Sequence, residues 1–403
     1  MLNNFVNCSF FSNFANRLIV MKQERQYKIV YCTPSLYMAG GVERVLTLKA
    51  NYFADIYGYD ITIITTDGMQ KPFFFPLSER VRVVNLDINF DEMWHRSFLS
   101  RLCLYIIKER KFKKQLSKEL YRIKPDFTIS LLRREINFLT DIHDGSKKIG
   151  EIHINRAHYR NFTPNRSNPV KALFSKYWMS GLVKKVRQLD RFVVLTEYDR
   201  QAWQEIPRVD VIPNPLPFYP RIISSIRKKR VISVGRYFDE KGYDLLLQSW
   251  SLVEKANPEW ELIIFGEGNR PYYERIAASL GLDLNRCILN DSISDVEKEY
   301  LQSSVFVCTS RFEGFGMGII EAMACGLPVV AFDCLWGPRS IITDGEDGLL
   351  VENGNIGKMA ETLNSLLQDP YKIEIMGKHA RENVQRFNID VIAEKWKKLF
   401  ECL

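Results

Sequence analysis

Two glutamates within a glycine-rich stretch are the residues of this sequence whose types and spacing most clearly predict chemistry. Glu313 and Glu321 lie in the run Arg-Phe-Glu-Gly-Phe-Gly-Met-Gly-Ile-Ile-Glu, which follows a short apolar segment that ends at Ser310. The glycines predict a turn after a strand, and the pattern that follows predicts a helix from Gly318 to Cys325. Free N–H groups at a helix N-terminus bind anions, above all phosphate, and carboxylates accept hydrogen bonds from sugar hydroxyls. The stretch therefore predicts a nucleotide-sugar site, with one glutamate for the hexose and the other for the ribose.

The spacing of these two glutamates argues against a glycoside hydrolase. A helical rise of about 1.5 Å per residue separates their Cα atoms by roughly 12 Å. Hydrolysis by paired carboxylates needs the two groups about 5–9.5 Å apart. A dinucleotide-dependent dehydrogenase is disfavoured as well, because neither Gly40-Gly41 nor Gly266-Glu-Gly268 completes the pattern Gly-x-Gly-x-x-Gly.

The pair Glu313-x7-Glu321 within its glycine-rich turn resembles the signature of the retaining glycosyltransferases of family 4, also called glycosyl transferases group 1. Further matches to that family follow one another in the expected order along the chain from about residue 28 to residue 400. They are Val211-Ile-Pro-Asn-Pro, Ser233-Val-Gly-Arg-Tyr-Phe-Asp-Glu-Lys-Gly, Phe265-Gly-Glu-Gly, Cys334-Leu-Trp-Gly-Pro-Arg and Asp344-Gly-Glu-Asp-Gly-Leu-Leu-Val. The resemblance implies the GT-B fold and transfer of a hexose from a UDP- or GDP-linked sugar to a hydroxyl of a glycan or lipid-linked acceptor. Cell-surface polysaccharide or lipopolysaccharide biosynthesis is the process it implies.

The resemblance also implies roles for individual residues. Arg236 and Lys241 match the pair that neutralises the donor diphosphate, and His153 matches a histidine beside the donor sugar, with His143 as a weaker rival. The implied catalytic set is Glu313, His153, Arg236 and Lys241. The implied donor-binding set is Gly41, Gly235, Arg236, Lys241, Gly266, Glu313, Phe315, Gly316, Met317 and Glu321. One departure is Gly337-Pro338-Arg339-Ser340, where the family commonly has an acidic residue after Gly-Pro-x.

The sequence offers no sign of metal or cofactor dependence. It contains no Asp-x-Asp, the metal-binding signature of GT-A transferases, and its cysteines form no Cys-x-x-Cys pair. We therefore expect a metal-independent enzyme that needs no cofactor. Two alternatives stay open: a nucleotide-sugar 2-epimerase of the same fold, and a non-catalytic subunit that binds a nucleotide-sugar.

The order of predicted elements is strand then helix, repeated in two series. This order predicts an α/β protein of two Rossmann-like, doubly wound parallel-sheet domains that face each other across a cleft. Prolines cluster between Pro213 and Pro220 and predict the break between the series. We expect a disordered leader over residues 1–26, an acceptor-side domain over 27–205 and a donor-binding domain over 206–385. The family resemblance implies that a last helix, within residues 386–403, packs back on the first domain.

Charge is unevenly distributed along this 403-residue chain of formal net charge +8. Between Trp94 and Arg187 there are 22 Lys and Arg against 7 Asp and Glu, and one face of a predicted helix carries Lys111, Lys114, Lys118 and Arg122. Such a surface favours an anionic partner. We predict an anionic membrane rather than nucleic acid, because no nucleic-acid recognition motif accompanies the charge. The scattered cysteines favour a reducing, cytoplasmic location, with the protein peripheral on the inner face of the membrane.

Overall fold

The computed structural model describes residues 25–93, 97–161, 179–334 and 336–403, and contains two parallel β-sheets. Within these residues the first sheet has the strand order β3-β2-β1-β4-β5-β6-β7. Its strands are β1 (Lys28–Thr33), β2 (Asp60–Thr65), β3 (Arg82–Asn85), β4 (Phe127–Ser130), β5 (Lys147–Glu151), β6 (Arg191–Val194) and β7 (Val209–Val211). β1, β2 and β4 are almost wholly buried because helices cover both faces of the sheet, as their β-branched runs require.

The second sheet has the order β10-β9-β8-β11-β12-β13, and every pairing in it is parallel. Its strands are β8 (Arg230–Val234), β9 (Glu261–Gly266), β10 (Cys287–Asp291), β11 (Val305–Cys308), β12 (Val329–Asp333) and β13 (Gly348–Glu352). The two doubly wound sheets confirm the predicted fold class.

Helices connect the strands of each sheet. In the first half they are α1 (Gly41–Asp55), α2 (Phe98–Ile123) and α3 (Glu197–Ala202), and residues 179–186 are helical as well. In the second half they are α4 (Tyr243–Ala256), α5 (Arg270–Ser279), α6 (Val296–Leu301), α7 (Met317–Ala324), α8 (Ile356–Leu367), α9 (Pro370–Asn383) and α10 (Ile389–Glu401). No helix among the described residues is both long and apolar enough to span a bilayer.

The last helix, α10, crosses from the second half of the chain to the core of the first sheet. Its buried residues include Ile392, Trp396 and Phe400, whose spacing places them on one helical face. The Phe400 ring lies 4.7 Å from the ring of Phe127 on β4 and stacks on it. The apolar face of α10 is therefore part of the core beneath β1 and β4.

The boundary between the two halves differs from the expected one. β7 pairs with β6, so the first sheet continues to Val211, beyond the boundary expected at residue 205. A three-residue edge strand with a charged centre carries no apolar run that a sequence reading can recognise. Most of the expected leader, residues 1–24, lies outside the described residues.

Candidate active site

The strand orders bring the predicted functional residues to one place. In each sheet the order reverses between two central strands, β1 and β4 in the first and β8 and β11 in the second. Ligands of such sheets bind outside the carboxyl ends of the strands at this reversal. Gly41 follows β1, Gly235 follows β8 and Glu313 follows β11, so the loops at both reversal points carry predicted residues.

Glu313 is held by two donors from the second domain. Its Oε1 accepts a hydrogen bond from Lys241 Nζ at 2.6 Å and another from Ser310 Oγ at 2.6 Å. Burial alone would lower the pKa of Lys241, but the Glu313 carboxylate raises it above its usual value. Lys241 is therefore a cation at neutral pH, and the Glu313 side chain is 12% exposed at the cleft.

Glu321 forms an ion pair with an arginine of the first domain. Arg44 on α1 donates to Glu321 Oε1 at 2.8 Å, and Tyr300 donates its hydroxyl to Oε2 at 3.2 Å. Burial raises the pKa of Glu321, and the Arg44 guanidinium opposes that shift. The rings of Phe75 and Phe218 flank Arg44 at 5.7 Å and 5.5 Å, so the guanidinium is fixed between the domains.

Glycines allow the backbone segments of this site to approach one another. A Cβ on Gly266 would lie 2.0 Å from the Gly235 carbonyl oxygen, so the ends of β8 and β9 require glycine there. Gly316 precedes α7 with a φ of +107°, which a residue with a side chain rarely adopts. Across the cleft, the Cβ position of Gly41 is 3.9 Å from the side chain of Met317, the first residue of α7. The N-termini of α1 and α7 therefore face each other.

His153 lies at the carboxyl edge of the first sheet, beside a buried ion pair. Its Nε2 is 3.3 Å from Glu151 Oε1, and Glu151 also accepts a hydrogen bond from Lys49 on α1. Burial alone would raise the pKa of Glu151, but Lys49 and then His153 lower it to about 2. His143 precedes β5 and so lies at the opposite edge of the sheet, where its carbonyl accepts from the Tyr121 hydroxyl.

Some predicted residues occupy other environments. Arg236 pairs with Glu240 and leaves 55% of its side chain exposed, so it does not share a carboxylate with Lys241. The Phe315 side chain is buried in the core, with its ring 5.3 Å from that of Phe387. Only the backbone of Phe315 is available to a ligand in this arrangement.

The loop that departs from the family pattern packs directly on Glu313. A Cβ on Gly337 would lie 2.5 Å from the Cβ of Glu313. Arg339, which stands near the position of the usual acid, donates two hydrogen bonds to Asp333 at the end of β12. Its charge is thus compensated within the loop and does not oppose Lys241.

Sequence reasoning missed several residues that the structure brings to the site. Arg44 and Lys49 lie on α1 after the Gly-Gly turn, at positions that a helical pattern alone reads as ordinary surface cations. The sequence marks Ser310 only as the end of an apolar segment, although a hydroxyl three positions before Glu313 can reach its carboxylate. Asn155 donates to the Glu313 carbonyl oxygen from the other domain, and no local pattern marks it.

Comparisons with known proteins show the family to which this chain is similar. The profile of the family described as "Glycosyl transferases group 1" matches residues 222–383. An uncharacterized glycosyltransferase of Haemophilus influenzae is 30% identical over 384 residues, which cover 92% of this chain and 99% of that protein. A poly(ribitol-phosphate) alpha-N-acetylglucosaminyltransferase of Staphylococcus aureus is 29% identical over 64% of this chain, which spans 51% of that protein.

The fold is shared with a solved structure. A variant of Staphylococcus aureus TarM, in complex with fondaparinux, alpha-GlcNAc-glycerol and UDP, matches with a TM-score of 0.73 and 18% identity over 93% of this chain and all of that one. Two facing Rossmann-like domains with their loops in a shared cleft define the GT-B fold. The chain belongs to the glycosyl transferases group 1 family and is a glycosyltransferase.

Proposed function

We propose that the protein transfers a hexose, with retention of anomeric configuration, from a UDP- or GDP-linked sugar to a hydroxyl of a glycan or lipid-linked acceptor. The observation that carries this proposal is that two ion pairs flank the first turn of α7. Lys241 holds Glu313 before the helix, Arg44 holds Glu321 within it, and the free amides after Gly316 lie between them. Such a site offers carboxylates to two sets of sugar hydroxyls and a positive field to the phosphates between them.

The residues around α7 suit a reaction in which the diphosphate is both leaving group and base. The bond between the sugar C1 and the phosphate oxygen breaks, and charge develops on the phosphates, where Lys241, Arg236 and the amides after Gly316 stabilise it. The acceptor hydroxyl attacks C1 from the same face and passes its proton to the departing phosphate oxygen. No protein nucleophile is required, which fits retention within family 4.

The two glutamates then have different tasks. Glu313, beside the cleft, binds hydroxyls of the hexose, which flattens toward an oxocarbenium ion. Glu321, buried behind it, binds the ribose, whose hydroxyls change little during the reaction. His153, at the end of β5 in the facing domain, contacts the hexose from the other side.

The donor is identified by a thermal-shift screen of UDP-glucose, UDP-N-acetylglucosamine, UDP-galactose and GDP-mannose. A donor at about 100 times its Kd stabilises the folded protein by about 2.7 kcal/mol. Lys241→Ala should reduce the shift, because it removes a cation beside the phosphates, whereas Lys358→Ala, which removes a lysine from an exposed pair on α8, should retain it. A screen in which none of these sugars stabilises the wild-type protein would count against the proposal.

Mechanism and class are tested with the donor so found. Transfer should continue in excess EDTA, and product NMR should show the anomeric configuration of the donor. An inverted product, or activity restored only by Mg²⁺ or Mn²⁺, would contradict the mechanism. Incubation with donor alone separates the alternatives, because a 2-epimerase converts its substrate without acceptor and a binding subunit converts none.

We also propose that α2 faces an anionic membrane. Lys111, Lys114, Lys118 and Arg122 are all exposed on this helix, while Phe112 and its apolar neighbours are buried. Each basic residue near such a surface contributes on the order of 1 kcal/mol. Other residues of the basic region, between 162 and 178, lie outside the described residues. Sedimentation with vesicles that contain phosphatidylglycerol, compared with neutral vesicles, tests this proposal.

A further inference from the structure

Asn155 is a fully buried residue that connects the two domains at Glu313. It follows β5 in the first domain, and its Nδ2 donates to the Glu313 carbonyl oxygen at 3.3 Å. Its Oδ1 accepts from the backbone N–H of His158 at 3.0 Å and lies 2.8 Å from His158 Nδ1. Both ends of this amide are thus engaged, one of them across the cleft.

His158 reinforces the same connection. Its ring stacks on Phe312, the residue before Glu313, with the ring centres 3.6 Å apart and the planes inclined by 8°. On the other side of Glu313, a Cβ on Gly314 would lie only 2.4 Å from the His153 carbonyl oxygen. First-domain groups therefore contact the residue before Glu313, its carbonyl and the residue after it.

We infer that Asn155 and His158 are positioning residues, which set the position of the Glu313 carboxylate when the two domains close. The inference rests on the proposed role of Glu313 in binding the hexose. Neither side chain contacts the Glu313 carboxylate, which is held by Lys241 and Ser310 from its own domain. They act on the backbone that carries it, so they couple closure of the cleft to placement of the carboxylate.

The physical reason for this coupling is that the contacts exist only while the domains touch. When the domains separate, the buried Asn155 amide loses its acceptor, and the Phe312 ring loses the imidazole that covers it. A small cavity of about 20 Å³ lies beside Lys241 and Glu313 on the second-domain side of these contacts. Closure of the cleft then fixes Glu313 against the hexose.

The inference predicts a loss confined to the hexose part of the donor. Asn155→Asp keeps the Oδ1 atom that accepts from the His158 backbone N–H. It replaces the Nδ2 group that donates to the Glu313 carbonyl oxygen by a carboxylate oxygen, which cannot donate. A hydrogen bond contributes about 0.5–1.5 kcal/mol net, so binding of UDP-glucose should weaken about two- to twelvefold. Binding of UDP, which lacks the hexose, should not change. Calorimetric titration measures both affinities. If the thermal-shift screen selects a nucleotide-sugar other than UDP-glucose, the titrations use that sugar and its nucleoside diphosphate instead.

Three further variants complete the experiment. His158→Ala should reproduce the selective loss, and His158→Phe, which keeps an aromatic ring on Phe312, should restore most of the affinity. Thr140→Ala removes a hydrogen bond within the first domain, to Gln188, and should change neither affinity. Thermal unfolding of each variant without ligand establishes that it is folded.

A double-mutant cycle separates positioning from a general loss of structure. In a Glu313→Ala background, Asn155→Asp should cause no further loss of UDP-glucose affinity, since the group it positions is absent. Equal weakening of UDP and UDP-glucose, or additive losses in the cycle, would overturn the inference while leaving the proposed function intact. Failure of the wild-type protein to bind any nucleotide-sugar would instead remove the proposed function, and the inference with it.

Discussion

Removal of the buried Lys49 ammonium should destabilise the first domain strongly. Lys49 and Glu151 are 1% and 2% exposed, and the ammonium lies 4.5 Å from the centre of the Trp396 ring on α10. Lys49→Met keeps the length of the side chain but leaves the Glu151 carboxylate buried without its cation. Breaking a buried pair in this way costs about 3–5 kcal/mol. A domain of this size loses about 2–4 °C in melting temperature per kcal/mol, so the melting temperature of the first domain should fall by roughly 6–20 °C.

The cost of this substitution should depend on pH. Burial would raise the pKa of Glu151, yet Lys49 and His153 together lower it to about 2, from an ordinary value of 4.5. In the wild-type protein the ionised carboxylate therefore contributes stability above its unfolded pKa, and this contribution is lost as the pH falls through 2. In Lys49→Met, burial is opposed by His153 alone, and we expect a pKa above 4.5. The penalty then grows as the pH rises, so it should be larger near pH 8 than near pH 5.

Urea unfolding followed by tryptophan fluorescence measures this cost at both pH values. Lys49→Met with Glu151→Gln should recover most of the lost stability, because the buried charge is then removed as well. Lys398→Met on the exposed surface of α10, whose pair with Glu394 spans 3.9 Å, should change the free energy of unfolding by less than about 0.5 kcal/mol. If the single and double variants are equally unstable, or if the cost does not vary with pH, the ion pair does not act as described.

Three further predictions concern the site and the thiols. Lys241→Ala and Arg236→Ala should each lower kcat by about 10²–10³-fold if each acts like one oxyanion donor, and steady-state rates with near-wild-type values would contradict a role in leaving-group stabilisation. Glu321→Ala should raise KM for the donor more than it lowers kcat, because ribose hydroxyls are bound similarly before and during reaction; a selective loss of kcat would refute that role. Among the cysteines of the described residues, Cys103 and Cys402 are exposed, so a thiol reagent should label these two in the native protein and the buried ones only after unfolding.

The second domain was predicted closely because its strands are short apolar runs between glycine-rich turns. The apolar segment expected to end at Ser310 is β11, which ends two residues earlier at Cys308, and α7 begins one residue before the predicted start at Gly318. Parallel strands that are buried on both faces have nearly continuous apolar sequences, which makes them easy to recognise. The first domain was harder: β3 and β7 lie at the edges of their sheet, and their residues are only partly buried.

The sequence by itself determined the fold class and the local structure of the glycine-rich loop around Glu313. The glycines around Glu313 and the helix that carries Glu321 are encoded within a dozen residues, since turn and helix signals are local. Only the tertiary structure decided which groups from elsewhere complete the site. Arg44 reaches Glu321 across 277 positions and Asn155 reaches the Glu313 carbonyl across 158. These partners depend on how the two sheets face each other and on which buried charges must be compensated. The periodicity of a single segment of the chain carries no information about contacts with distant segments.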